Sequence, residues 1–234
     1  LRLADGSTIT THCVVVTAGT ALRGTLHTGL NRRSGGGNGA PSADSLSGSL
    51  ARLGHRLGRL KTGTVPRLDG RTIAWDRLAI QEGDHPGGRF SFIGPPSKLP
   101  QVRCHVTATN AATHAVIDAG LPHSPLYGAQ RSIDGAGPRY CPSIEDKVHR
   151  FADKDSHRIF LEPEGLATWE VYPNGFSTSL AVSTQLAALR TIEGLEDVVV
   201  VRPGYAIEYD FADPRDLGLD LRSRHVDGLY LAGQ

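Results

Sequence analysis

The chain contains no methionine and only three cysteines, Cys13, Cys104 and Cys141. Because they are few, far apart and odd in number, these cysteines argue against a disulfide framework and fit a reducing compartment. The sequence has no Cys-x-x-Cys pair and no His-Glu-x-x-His motif, so none of its ten histidines has an obvious partner for a metal site. The composition therefore predicts neither a disulfide scaffold nor a metal centre.

Long apolar runs and an excess of charge of one sign are also missing. No run approaches the length that crosses a bilayer, which predicts a protein with no membrane span. The 25 basic and 24 acidic residues leave a net charge of +1, so a nucleic-acid surface would have to be a local patch. The length of 234 residues suits one large domain or two small ones.

The two ends of the sequence predict that it is a piece of a longer protein. It starts at Leu1 without a methionine, and it stops at Gln234 directly after an apolar run. No segment resembles a secretion signal.

Two short apolar runs near the ends predict the fold class. Residues 12–17 (HCVVVT) and 226–234 (VDGLYLAGQ) each predict a buried strand that is followed by an Ala-Gly turn. Buried strands of this kind belong to parallel sheets that are covered on both faces. We therefore expect an α/β sheet formed by the two outer pieces, residues 1–66 and 205–234, interrupted by a mixed α+β insertion at 67–204.

The middle of the chain predicts further elements. Residues 31–49 are rich in glycine and serine and predict a loop, which is followed by a short helix near 46–53. Helices are expected at 110–119, 142–152 and 181–191 from their caps and apolar spacing. Strands are expected in HRIFLEP, WEVYP and DVVVVRPG, and the stretch 57–75 predicts strands broken by turns.

Cys141 precedes a predicted helix and is the candidate reactive residue. Pro142 suits the first helical position, and Ile144, Val148 and Phe151 form one apolar stripe. Free backbone amides at a helix start stabilise a thiolate, whereas the neighbouring acids Glu145 and Asp146 oppose it. Local chemistry therefore leaves two interpretations open, a reactive thiol or a buried, inert cysteine.

The other two cysteines and the glycine-rich loop are weaker candidates. Cys13, among valines, is expected in the core, and Cys104 is expected on a strand. The loop GGGNGA at 35–40 matches neither the dinucleotide-binding nor the phosphate-loop motif, and it is read as a ligand-covering or mobile loop. Arg67 and Arg71 form the best local basic cluster, which would meet phosphates or lie on a solvated strand face.

Several motifs together resemble one known family. They are GRLKTGTVPR, GPRYCPSIEDKVHRF, FLEPEG, YPNGFSTSL, RPGYAIEYDFADPRDL and LYLAGQ, and they extend over essentially the whole chain. The chain is similar to the glucose-inhibited division protein A family, also called MnmG, whose members are flavoenzymes that modify the wobble uridine of certain tRNAs. The resemblance implies that residues 1–66 and 205–234 belong to a Rossmann-like, dinucleotide (FAD)-binding domain and that 67–204 is the side facing NADH and tRNA.

The resemblance also implies cofactors and partners. A full-length member would bind FAD, use NADH and form a homodimer. It would join a GTPase of the MnmE family, as a heterotetramer, and that partner would bring a folate one-carbon unit. Together they would install an aminomethyl or carboxymethylaminomethyl group at C5 of the uridine. A bacterial cytoplasm is the default location, and a mitochondrial one stays open.

Specific residues are implied to form the site. Cys141 matches the family cysteine placed near the flavin and the target base. FAD contacts are implied at Ala18, Gly19, Ser42 and Gln234. The segment 137–151 is implied to bind the nicotinamide dinucleotide, and it comprises Gly137, Pro138, Arg139, Tyr140, Cys141, Pro142, Ser143, Ile144, Glu145, Asp146, Lys147, Val148, His149, Arg150 and Phe151.

Two alternatives remain at this stage. The first is the related folate- and FAD-dependent tRNA uridine-5-methyltransferase, whose cysteine lies in a different local sequence from CPSIEDK. The second is a non-catalytic module for tRNA binding or dimerisation. Because the N-terminal flavin fingerprint is missing from the 234 residues, we expect the isolated chain to be inactive and to hold no FAD.

Overall fold

Three β-sheets and four α-helices form the part of the chain that the structure describes. The structure is a computed structural model, and it describes residues 1–84, 87–89, 91–95, 99–137 and 141–233. Pro138, Arg139, Tyr140 and Gln234, four of the residues implied to bind cofactors, lie outside these ranges. Among the described helices, none has the length and hydrophobicity to span a bilayer.

The two outer apolar runs share one parallel sheet, as the sequence predicted, but the other strands of the outer pieces form a separate antiparallel sheet. Strand β1 (Val14–Val16) and strand β12 (Leu229–Leu231) lie side by side in parallel, with Val15 opposite Tyr230. Their predicted complete burial is wrong, because Val15 is 61% exposed. One face of this strand pair packs against Leu22 and Leu50. No helix or strand of the described residues covers its other face.

The second sheet contains four antiparallel strands. They are β2 (Thr25–Thr28), β3 (Asn31–Ser34), β4 (Leu57–Thr64) and β11 (Tyr205–Ala212), in the spatial order β3-β2-β11-β4. Strand β3 corrects the predicted loop at 31–49. It forms a hairpin with β2 across Gly29 and Leu30, and Gly29 has a φ of 54°, which a residue without a Cβ adopts readily.

The third sheet contains six antiparallel strands and the largest core. They are β5 (Arg67–Asp69), β6 (Ala79–Gln81), β7 (Cys104–Ala108), β8 (Arg158–Pro163), β9 (Glu170–Asn174) and β10 (Val200–Arg202), in the order β10-β5-β9-β8-β7-β6. Ile159 and Leu161 of β8 are fully buried, together with side chains from three helices. This cluster stabilises the middle of the chain.

Four α-helices pack on these sheets. They are α1 (Asp44–Arg52), α2 (Ala111–Gly120), α3 (Ile144–Arg150) and α4 (Val182–Leu189). All four were predicted, with ends shifted by one or two residues. Short 3₁₀ turns occupy 70–72, 75–77, 121–123 and 214–216.

Alternation along β11 defines the surface on which the candidate site lies. Tyr205, Ile207, Tyr209 and Phe211 point to one face of the four-stranded sheet, because side chains alternate along a strand. We call this the tyrosine face. The opposite face carries buried charged residues, including Glu208 and Asp210.

Candidate functional site

Cys141 lies against the tyrosine face. Its Sγ is 3.2 Å from Oγ1 of Thr62, and Thr62 is the direct neighbour of Ile207 in the β4–β11 pairing. The thiol is half-buried. Burial raises the pKa of Tyr209, and the charge of a Cys141 thiolate raises it further. The cysteine is therefore close to the middle of β11 rather than isolated on a loop.

Helix α3 starts later than the sequence predicted. Its N-cap is Ser143, so Pro142 lies before the cap rather than at the first helical position, and Cys141 is two residues before the cap. The cause is a capping box. The Ser143 hydroxyl accepts the amide of Asp146 at 3.3 Å, and the Asp146 carboxylate accepts the Ser143 amide at 3.0 Å.

The chain that leads to Cys141 is tied to the sheet. One carboxylate oxygen of Glu208 accepts the amides of Asp134 and Gly135, at 2.9 Å and 2.6 Å. A Cβ at Gly135 would lie 2.8 Å from the backbone of Leu60, so only glycine fits this close approach.

The chain that follows Cys141 is fixed by a buried carboxylate. Glu145 is fully buried, and its Oε1 accepts both the amide and the hydroxyl of Ser179 at 2.8 Å. The amide of Ile144 donates to the carbonyl of Ser177 at 2.6 Å. The turn in YPNGFSTSL therefore holds the start of α3, and the position of Cys141 is set from both sides.

One cationic side chain, Lys147, lies near the cysteine, and a second, Lys61, pairs with Asp146 of α3. Burial lowers the pKa of Lys147, whereas the charge of Cys141 raises it, so the ammonium group and a thiolate attract each other. Nζ of Lys147 donates to the carbonyl of Gly175 at 3.0 Å. Lys61 is buried, and its Nζ is 3.7 Å from the Asp146 carboxylate.

Asp146 is the centre of a hydrogen-bonded group beneath α3. Burial alone would raise the pKa of Asp146, but hydrogen bonds from Tyr127 and Ser143, with the charge of Lys61, lower it overall. The Tyr127 hydroxyl donates to Asp146 in a very short contact. Burial first, and then Asp146, raise the pKa of Tyr127. Asp146 is therefore an anion that holds Lys61 and the helix start together.

The predicted apolar stripe of α3 is only partly buried. Ile144 and Val148 are in the core, but Phe151 is 46% exposed because the helix ends at Arg150 and the chain turns outward. Within the segment implied to bind NADH, Ser143, Ile144, Glu145, Asp146 and Val148 are buried.

The two strand ends implied to contact FAD converge on a second location. Ala18 follows β1, and the amide of Ala232, just after β12, donates to the carbonyl of Val16 at 3.0 Å. A cavity of about 310 Å³, which we call the strand-end cavity, is lined by Ala18 and by Leu60 and Phe211 of the four-stranded sheet. Leu60 and Phe211 belong to the tyrosine face, so this cavity and Cys141 share one face of the sheet.

Gly19 and Ser42 lie at the same turn. Gly19 has a φ of 52°, and a Cβ there would meet no atom within 4 Å, so its backbone borders open space. The Ser42 hydroxyl lies 3.5 Å from the carbonyl of Ala21 and also contacts the Asp44 carboxylate. The structure therefore brings Ala18, Gly19 and Ser42 together.

The predictions for Cys13 and Cys104 had different outcomes. The prediction that Cys13 is in the core is wrong. Strand β1 begins at Val14, and Cys13 lies just before it and is exposed. Cys104 begins β7, as expected of a strand residue, and burial, with the charge of Glu162, raises the pKa of its thiol.

The predicted basic cluster is largely neutralised. Arg67 pairs with Glu164, and its guanidinium lies 4.5 Å from the centre of the Tyr172 ring. Arg71 pairs with Asp69 at 2.7 Å. Neither arginine is a free phosphate contact.

One group of residues has donor types that suit a metal. Ligand atoms of His55, Asp216 and His225 lie within 4.8 Å of one another. The Asp216 carboxylate is already bound by Arg56, whose guanidinium would repel a cation. Within the described residues, this group is therefore better explained as an ion-paired cluster.

Thr62 and Tyr209 were not singled out from the sequence, and Lys147 was named only as part of the segment implied to bind NADH. Thr62 lies in the motif GRLKTGTVPR and Tyr209 in RPGYAIEYDFADPRDL, but the pairing of β4 with β11 joins residues about 150 positions apart. Alternation in the two motifs was the available signal, and it does not reveal which strands pair.

Comparisons with known proteins agree along the whole chain. A family model described as "Glucose inhibited division protein A" matches residues 1–234. A curated relative from Syntrophotalea carbinolica, "tRNA uridine 5-carboxymethylaminomethyl modification enzyme MnmG", is 57% identical over 234 residues. That match covers 100% of this chain and 38% of the relative, so the chain spans well under half the relative's length.

Two solved structures have the same architecture. Form I of Aquifex aeolicus GidA is 46% identical with a TM-score of 0.90, covering 99% of this chain and 39% of that one. Form II of the same protein is 43% identical with a TM-score of 0.83, covering 94% and 36%. The arrangement of sheets and helices is therefore shared with solved proteins.

Proposed function

The chain belongs to the glucose inhibited division protein A family, and on that premise we propose that it is part of a flavin-dependent enzyme that modifies the wobble uridine of tRNA. The product would carry an aminomethyl or carboxymethylaminomethyl group at C5. The observation that carries this proposal is the position of Cys141, 3.2 Å from Thr62 on the sheet face that also borders the strand-end cavity.

We propose that FAD is held where β1 and β12 end. The apolar strand-end cavity, the open backbone at Gly19 and the nearby Ser42 fit the ribityl and phosphate part of such a cofactor. Gln234 directly follows Gly233, which lines the cavity, and would add an amide contact. FAD would supply hydride transfer to or from the one-carbon bridge.

The division into domains is part of the proposal. Residues 1–66 and 205–234 would form part of the Rossmann-like FAD-binding domain, and 67–204 would form the insertion. The support is that β5 to β10 share one sheet, whereas β1 and β12 pair with each other across the whole length of the insertion.

Cys141 is proposed as the nucleophile. Uridine C5 is a poor nucleophile until a group adds to C6, and a thiolate suits that addition. The S–C6 bond would form as the electron pair of the C5–C6 double bond shifts toward C5. Lys147 attracts the thiolate, and Thr62 orients the sulfur through their hydrogen bond. The target base would leave its stack to reach this face.

NADH and the protein partners complete the proposal. We assign NADH to the segment 137–151, where His149, Arg150 and the half-buried Cys141 are accessible and the buried residues would hold the segment in place. The full-length enzyme would act in the cytoplasm as a homodimer. It would join an MnmE-family GTPase, as a heterotetramer, to receive the folate one-carbon unit.

The test is nucleoside mass spectrometry of tRNA from cells that lack the full-length protein. We expect 5-carboxymethylaminomethyl-type wobble uridines to disappear and to return on complementation, while ribothymidine is unchanged. Loss of ribothymidine instead would identify a methyltransferase, and unchanged nucleosides would refute a modification function. The purified full-length protein should also show a flavin absorbance spectrum.

A further inference from the structure

A second cavity lies on the tyrosine face, at the end of β11 remote from the strand-end cavity. It has a volume of about 450 Å³, and we call it the arginine cavity. Its lining includes four arginines, Arg32, Arg33, Arg67 and Arg202, together with Thr28, Asn38 and Tyr205. None of the candidate cofactor or catalytic residues that the structure describes lines it.

Strand pairing places Arg33 on this face. Arg33 lies directly opposite Leu26 in the β2–β3 pairing, and both residues line the arginine cavity. Leu26 packs with Ile207 and Tyr209, which are tyrosine-face residues. Because directly paired residues share a face, the guanidinium of Arg33 is on the side of the sheet where Cys141 lies.

The arginine cavity has an excess of positive charge. Arg67 and Arg202 are paired with Glu164 and Glu170. Arg32 and Arg33 are exposed on an edge strand, and within the described part of the chain neither has an ion-pair partner; Arg33 is the one whose strand partner, Leu26, lies on the tyrosine face. A guanidinium on a cavity wall, unpaired and beside hydroxyl and amide groups, suits a phosphate oxygen.

The glycine-rich loop forms part of the cavity wall through Asn38 and Gly39. Asn38 has a φ of 48°, and its amide donates to the Tyr205 hydroxyl at 3.2 Å. The loop is closed by a hydrogen bond from the Ala40 amide to the Gly37 carbonyl at 2.8 Å. The loop therefore has a defined turn at the cavity, where small residues allow a ligand to approach the backbone.

Distances along β11 relate the arginine cavity to Cys141. Ile207 is the neighbour of Thr62, the contact of the cysteine, and Tyr205 is two residues away. At about 3.3 Å per residue, this separation is roughly 7 Å. A nucleotide with its base at Cys141 is long enough to place an adjoining phosphate in the arginine cavity.

We propose, on the basis of the function proposed above, that the arginine cavity binds a phosphodiester group of the substrate tRNA next to the target uridine. Arg33 is the positioning residue. The pyrophosphate of NADH has the same chemistry, but the exposed edge strand that carries Arg33 suits a polymer that extends beyond the cavity. Phosphate contacts of this kind fix position rather than read sequence.

The experiment uses Arg33→Gln in the full-length enzyme, with binding of a labelled, transcribed tRNA that has uridine at the wobble position. We expect roughly tenfold weaker binding, and a slope of log affinity against log salt reduced by about 0.7 to 0.9. NADH affinity and flavin content should stay unchanged. Arg33→Lys should recover much of the binding, because it keeps the charge.

Arg52→Gln is the matched control, because Arg52 is an exposed arginine on α1 that does not line the arginine cavity. Unchanged tRNA affinity and salt slope in Arg33→Gln would overturn the proposal, as would an equal loss in Arg52→Gln. Weaker NADH binding with normal tRNA binding would overturn the proposal and assign the arginine cavity to the pyrophosphate of NADH. A wild-type enzyme that binds no tRNA would overturn both proposals. Normal modification by an Arg33→Gln enzyme with unchanged tRNA affinity would refute the role of the arginine cavity and leave the proposed function intact.

Discussion

At the scale of single residues, Asp216 shows how strongly one arginine can hold a carboxylate. The backbone amide of Arg56 donates to Asp216 Oδ2 at 2.8 Å, and Nε of Arg56 donates to Oδ1 at 2.9 Å. These hydrogen bonds from Arg56 hold the pKa of Asp216 well below its ordinary value. The pair joins the turn before β4 to the turn after β11, at the base of the four-stranded sheet.

The pH dependence of stability follows from this depressed pKa. A carboxyl whose pKa is lower in the folded state stabilises the fold above its unfolded pKa, near 3.9, and loses that contribution as the pH falls through the folded value. We predict that Asp216→Asn lowers the free energy of unfolding by a constant amount from pH 7 to 5. The difference from wild type should shrink below about pH 4.

Urea unfolding of the 234-residue chain at pH 7, 5 and 3 measures this difference. Asp76→Asn is the control, because Asp76 is exposed in a 3₁₀ turn and no ion pair of it is found among the described residues. A difference for Asp216→Asn that is the same at pH 3 as at pH 7 would contradict the assigned role of the carboxylate.

At the residue scale, the sequence indicated which residues surround Cys141 better than it indicated what they do. The acids of α3 were recognised beside Cys141, but their role was misjudged. Glu145 binds Ser179 and Asp146 closes the capping box, so both point into the protein rather than toward the thiol. Thr62 could not be predicted, because its contact is with Cys141, which is 79 positions away on a loop that only the fold brings to β4.

At the scale of elements, the start of α3 determines where Cys141 lies. The capping box between Ser143 and Asp146 fixes the first turn, and the cysteine is two residues upstream. An N-cap serine stabilises a helix by about 1 kcal/mol relative to alanine. Loss of the cap would therefore affect both stability and the position of the thiol.

We predict that Ser143→Ala destabilises the chain by about 1 kcal/mol in urea unfolding. In the full-length enzyme it should also slow tRNA modification, because Cys141 is less well placed, while flavin content is kept. Ser143→Thr is the control and should be close to wild type in both assays. An alanine variant with wild-type stability would show that the cap does not fix this helix.

Helices and strands were predicted well when their own residues showed a helix or strand pattern. All four helices were predicted, α2 and α3 from their first residues, and β8 and β9 were predicted from their β-branched and aromatic residues. Strand β3 was missed because NRRS has no apolar alternation. Its strand partner in the described part of the chain is β2, through the hairpin, and the residues of β3 alone do not reveal that partner.

At the scale of the whole molecule, the three sheets differ in how well they are enclosed. Strand β8 lies between β7 and β9, and both Ile159 and Leu161 are fully buried. Strand β1 has one partner of equal length and a largely exposed Val15. Stability should therefore be greatest in the six-stranded sheet.

Hydrogen exchange of the 234-residue chain should reveal this order. We predict that the amides of 159–161 exchange at least about 100-fold more slowly than those of 14–16, because opening β8 breaks two strand pairings and exposes the main core. Peptide-level mass spectrometry measures both segments in one sample. Equal protection of the two segments would contradict this account.

Local sequence does not reveal the whole candidate site, because the residues of the site come from distant parts of the chain. Cys141 lies in a loop after α2, Thr62 lies on β4 and Tyr209 lies on β11, and only the folded sheet brings them together. The family resemblance implied Cys141 as the reactive residue, and local helix chemistry left its role undecided. The common face that it shares with both cavities is a property of the fold.

The most direct test of this account is Cys141→Ser in the full-length enzyme, assayed for uridine modification of tRNA in a single turnover. Serine is close to cysteine in size but is a far weaker nucleophile at neutral pH without a general base beside it. We predict normal folding, flavin content and tRNA affinity with no modified uridine. Modification at the wild-type rate by the serine variant would contradict the account and make Cys141 a structural residue.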